Sequence, residues 1–146
     1  MNRIHRKVEY ALIALKHMRS KTPGERTPVK EIVAAYGCPQ DVTARVLQAL
    51  AGKGILISEQ GSHGGYMIAK DLGRVSFHEL MEIILGPLEV ARCLHEEAGL
   101  CEIRGTCNIV SPIQNLNRRI GDFYKSLSVA ELIEGARAPK VMGGTL

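Results

Sequence analysis

Residues 27–69 read TPVKEIVAAYGCPQDVTARVLQALAGKGILISEQGSHGGYMIA, and the order of their signals decides the fold. Thr27 is placed to cap a helix, with Pro28 at its first position, where a missing N–H costs nothing. Val29, Ile32 and Val33 give that helix an apolar side, and Gly37 stops it. Pro39 opens another helix over about 40–53, with Val42, Val46, Ala49 and Leu50 inward. Its outward positions include Gln40, Asp41, Thr43, Arg45 and Gln48, and Gly54 ends it. Two short β segments follow, 55–60 and 66–69. The run Gly61-Ser62-His63-Gly64-Gly65 between them supplies the positive φ that a hairpin tip needs.

Upstream, Val8, Ala11, Leu12, Leu15 and Met18 form one apolar stripe and predict a helix over 6–19, closed by a turn at Pro23-Gly24. Helix, helix, glycine turn, helix and glycine-tipped hairpin is the order of a winged helix-turn-helix. Downstream, Ser76 and Glu79 form a capping box for a helix through Phe77, Leu80, Met81 and Ile84, ended by Gly86-Pro87. Ile113, Leu116, Ile120, Phe123 and Leu127 step by 3, 4, 3, 4, a heptad seam suited to dimerisation or to packing on its own domain. Ser128 and Glu131 cap a last short helix. The expected chain is mainly α with one small β-hairpin: a winged helix-turn-helix domain over 1–75, a loop and dimerisation helices over 76–135, and a flexible tail over 136–146.

Charge is uneven along the chain. Residues 1–75 carry 12 Lys/Arg against 6 Asp/Glu, a net +6, whereas residues 76–146 carry 7 against 9. The first half is the one suited to a polyanionic partner. Major-groove reading needs short polar side chains and an arginine near the start of a helix, and Gln40, Thr43, Arg45 and Gln48 provide them. Asp41 either accepts from a cytosine or offsets the helix dipole. Arg3, Arg6, Lys7, Lys30 and Lys53 are candidates for phosphate contacts. Such a dimer would take double-stranded DNA with a palindromic operator.

Three of the four cysteines, Cys93, Cys101 and Cys107, fall in one polar, glycine-containing stretch. Three thiols on one loop are an awkward number for disulfides and suit a soft metal centre, such as an iron–sulfur cluster. A structural zinc site of the three cysteines with His95 is the alternative. Cys38 reads instead as a small buried hydrophobe. No C-x-x-C, P-loop or paired acids point to an enzyme. No apolar stretch approaches the ~20 residues of a membrane span. The basic start lacks a hydrophobic leader segment, so a cytoplasmic protein with reduced thiols is expected.

These residues resemble the family of iron–sulfur winged-helix transcriptional regulators that includes IscR, NsrR and RirA. The resemblance covers about residues 4–135. It rests on Glu9-Tyr10-Ala11-Leu12, Gly64-Gly65-Tyr66, the three cysteines and Leu127-Ser128-Val129-Ala130-Glu131-Leu132. It implies a dimeric repressor whose long helix after the cysteine loop, with Ile113, Leu116, Ile120, Phe123 and Leu127, forms the interface. It also implies that Cys93, Cys101 and Cys107 ligate the cluster, with 4Fe-4S favoured and 2Fe-2S compatible. Seven residues between the first two cysteines look like RirA, where IscR and NsrR have five. The position of the IscR fourth ligand, a histidine, is Val110 here. Glu9 matches the place where NsrR-like members supply an acidic ligand from the partner subunit, and His5 is a weaker candidate. Family wings often carry an arginine before the first glycine; this chain has Gln60, with His63 at the tip as a partial substitute. The implied mechanism is a switch in which the state of loop 93–107, set by iron, oxygen or nitric oxide, alters the spacing of two recognition helices.

Overall fold

A computed structural model describes residues 3–94 and 101–135 of the chain. Among these residues six α-helices and one hairpin follow in order: α1 (Arg6–Arg19), α2 (Val29–Tyr36), α3 (Gln40–Gly52), β1 (Leu56–Glu59), β2 (Gly65–Ile68), α4 (Phe77–Leu85), α5 (Val110–Ser126) and α6 (Val129–Glu134). The predicted mainly helical, winged arrangement is therefore present. β1 and β2 pair antiparallel, Leu56 opposite Ile68 and Glu59 opposite Gly65.

The apolar stripe of α1 is the centre of the molecule. Val8, Ala11, Ala14 and Leu15 are fully buried, and α1 packs on α3, α4 and α6. Ile32 of α2 and Val46, Leu47 and Leu50 of α3 close against it. Each large aliphatic side chain buried this way contributes about 1.5–3 kcal/mol. Val129, Ala130 and Ile133 of α6 join the same core. The start of α6 is stitched to the start of α4: Phe77 N–H donates to Leu127 O and Val129 N–H to Val75 O, each at 2.8 Å.

Three local expectations change. Thr27 caps nothing: Pro28 occupies the cap position of α2, and Thr27 is drawn into a β-bridge with Tyr66. Thr43 is fully buried rather than outward. It lies four residues before Leu47 and seven before Leu50 on one helical face, and its hydroxyl donates to Pro39 O at 2.7 Å. At α4 only half of the capping box forms, because Glu79 turns to Lys70 at 3.2 Å while Ser76 accepts from Glu79 N–H. The box at Ser128 and Glu131 is complete. The tail 136–146 lies outside the described residues.

Candidate nucleic-acid interface and cysteine centre

The turn between α2 and α3 is set by Gly37, whose φ of 69° is open to glycine at little cost, and by Pro39. Cys38, between them, is buried, which pushes its thiol above the ordinary range. This turn leaves Gln40, Asp41, Arg45 and Gln48 exposed on α3, while the Thr43–Leu47–Leu50 face is buried. Thr43 has no access to a base edge and leaves the set of reading residues; Gln40, Arg45 and Gln48 keep the exposure that reading requires.

The hairpin stands beside this helix. Gln48 and Gln60 line one groove of about 420 Å³ together with Ser58, Glu59 and Tyr66, so α3 and the hairpin share a surface. Gly65 is required at the hinge of the wing, because a Cβ there would lie 2.7 Å from the Thr27 carbonyl carbon. That closeness lets Thr27 and Tyr66 exchange two backbone hydrogen bonds of 2.9 Å. A second groove, about 580 Å³, runs between the wing tip and the start of α2 and brings Lys30 and His63 together with Arg26. Arg26 pairs with Glu59 on β1 and donates to His63 O at 3.5 Å. No periodic or spacing signal marks Arg26 for this role; the Thr27–Tyr66 bridge places it beside the wing. Arg3 lies exposed just before α1, and Lys53 is exposed at the end of α3.

Cys93, Cys101 and Cys107 are free thiols, each half-buried, in the segment between α4 and α5. Among the described residues no three His, Cys, Asp or Glu side chains are gathered to hold a metal ion. His95, the candidate fourth zinc ligand, lies outside the described residues. The donor set itself fits a thiolate-held centre: three soft ligands, none tied up in a disulfide and none sealed in the core. Glu9 sits on α1 with its carboxylate 2.9 Å from Arg6. His5 is occupied as the α1 cap, accepting from Lys7 N–H at 3.2 Å.

α5 is attached through a face that is not its heptad seam. Asn117 Oδ1 accepts from Val90 N–H at 3.1 Å, Gly121 lies against His78 and Leu88, and Tyr124 meets Phe77 edge to face at 5.1 Å. These positions, spaced by four and three, form the inner side of the helix. Of the seam, Leu116 and Phe123 are 47% and 59% exposed, while Ile113, Ile120 and Leu127 are half-buried and Leu127 packs against the core; Ile109, just ahead of α5, is 52% exposed.

The same architecture occurs in solved regulators. CymR, described as the global cysteine regulator of B. subtilis, superposes with a TM-score of 0.67 over 92% of this chain and 98% of its own, at 18% identity. IscR of T. potens gives 0.65 over 93% and 89%, at 15% identity. In sequence, the HTH-type transcriptional regulator IscR of Xenorhabdus nematophila is 24% identical over 132 residues, 90% of this chain and 79% of that one. No helix among the described residues is long and apolar enough to cross a membrane. The Rrf2 model, described as an iron-dependent transcriptional regulator, matches residues 4–135. The chain thus belongs to the Rrf2 family and is a DNA-binding transcriptional regulator, not an enzyme.

Proposed function

We propose that this regulator is a cytoplasmic homodimeric repressor whose affinity for a palindromic operator is set by an iron–sulfur cluster on Cys93, Cys101 and Cys107. The observation that carries this reading is three free, half-buried thiols in the one segment that joins α4 to α5. Glu9 of the partner subunit would complete the ligand set, and 4Fe-4S is favoured over 2Fe-2S. Bound there, the cluster would supply a centre responsive to iron, oxygen or nitric oxide.

The chain's own packing provides the route from that loop to DNA. The loop continues directly from α4, and α4 packs on the recognition helix α3. Ile84, two residues before Gly86, shares a small cleft with Val42, Arg45, Val46 and Ala49 of α3 and with Lys7 of α1. A shift of α4 is therefore felt along the side of α3 that adjoins its reading face. The exposed Ile109, Leu116 and Phe123 row supports dimerisation through α5, since apolar rows of this kind mark association surfaces. Gln40, Arg45 and Gln48 would read bases, with Arg3, Lys30, Gln60 and His63 at the backbone and wing.

The test is an anaerobic titration of a palindromic duplex selected from genomic fragments, before and after chelation of iron. Coupling typical of allostery predicts a change in affinity of about 5- to 150-fold. Equal affinity in both states would move the three cysteines to a structural zinc site or to no metal at all.

A further inference from the structure

The wing tip, residues 60–64, carries no lysine or arginine, yet the groove it walls contains two permanent cations. They come from outside the hairpin: Lys30 on α2 and Arg26 just before it. Arg26 is held firmly for a loop residue. Lys21 Nζ donates to its carbonyl at 3.0 Å, and its neighbour Thr27 is fixed to Tyr66 on both its N–H and its C=O. Its guanidinium forks, one arm on the Glu59 carboxylate and the other on His63 O. The Arg26 and Glu59 side chains remain 38% and 44% exposed, so an incoming group reaches the pair without unfolding anything. Guanidinium offers a phosphate the same planar fork that it offers a carboxylate.

We propose that Arg26 is the backbone-phosphate contact of the wing and that Glu59 is its intramolecular competitor, holding the guanidinium until a DNA phosphate displaces it. The proposal rests on the DNA-binding reading above. Glu59 then lowers affinity for any duplex, and does so through Arg26. Because phosphate contacts supply nearly all non-specific binding, the competitor acts most on sites where nothing else is recognised. A pair that merely stiffened the hairpin would have the opposite signature, since losing either partner would weaken binding.

The experiment uses the full chain and a fluorescein-labelled duplex of mixed sequence, with anisotropy titrations across a salt series. Glu59→Gln is expected to tighten binding about two- to fivefold, the scale of one exposed ion pair. Arg26→Gln is expected to weaken binding and to lower the salt slope by about one. The double variant should match Arg26→Gln. Weaker or unchanged binding in Glu59→Gln overturns the proposal, as does tightening that persists without Arg26. Failure of the unaltered protein to bind the duplex at low salt overturns the DNA-binding reading itself, and this proposal with it.

Discussion

Burial raises the Cys38 thiol's pKa above its ordinary range, and only 4% of the residue is exposed. The other three cysteines are half-buried and free. Thiolate character and access together set alkylation rates. Metal-free protein treated with iodoacetamide under native conditions should take up three adducts, at Cys93, Cys101 and Cys107, and a fourth only after denaturation. Intact-mass analysis reads the count; early modification of Cys38 would contradict its place in the core. Glu9 calls for a comparison rather than a single variant, because its carboxylate also pairs with Arg6. If Glu9 is a cluster ligand, Glu9→Ala should speed loss of iron to a chelator, whereas Arg6→Ala, which breaks only the ion pair, should not. Equal rates in the two variants would remove Glu9 from the ligand set.

Between α1 and α2, His17 Nε2 and Lys21 Nζ both lie 2.7 Å from Glu31 Oε1, and His17 Nδ1 lies 2.7 Å from the Tyr36 hydroxyl. The Lys21 hydrogen bond, and then that of His17, hold the Glu31 carboxyl below its ordinary range. Burial works to lower the Lys21 ammonium pKa, but pairing with Glu31 and Glu25 outweighs it and the net direction is up. A depressed folded-state pKa stabilises fully above the unfolded value and is lost as pH falls through the folded one. The melting temperature of the native chain should therefore exceed that of Glu31→Gln at neutral pH. The gap should close below about pH 4, the ordinary carboxylate range. A gap that persisted in acid would mean that packing, not charge, joins the two helices. On α5 the exposed seam residues Leu116 and Phe123 lie off the side that carries the anchoring residues Asn117, Gly121 and Tyr124. Leu116→Lys with Phe123→Lys should turn a dimer into a folded monomer by sedimentation, with the helical circular dichroism of the unaltered chain. A dimer that survived both changes would place the interface elsewhere.

At the scale of the whole molecule, the fold was legible where one period dominated. The α1 stripe, the Gly37 and Pro39 punctuation and the glycine-rich tip marked the helices and hairpin within a residue or two. Thr43 departs from the pattern because a threonine at the start of an exposed helix reads as polar, and its fourth-residue hydrogen bond to Pro39 O is invisible to periodicity. Thr27 departs from its capping signal because its bridge to Tyr66 joins residues 39 positions apart in the chain. The same bridge hid Arg26. The return of α6 to the α1 core was hidden likewise, since capping signals locate a helix but not what it packs against. Of the site, the cysteines and the exposed residues of α3 were legible by composition and spacing, whereas the grooves joining α3, the wing and α2 needed the tertiary fold. The sensing role proposed for this regulator turns on what the three loop thiols hold. The most direct measurement is native mass spectrometry of protein isolated without oxygen. A dimer carrying iron and sulfide increments that disappear when Cys101 is replaced by alanine is the expected result. A dimer that carries zinc alone, or no metal, would contradict it.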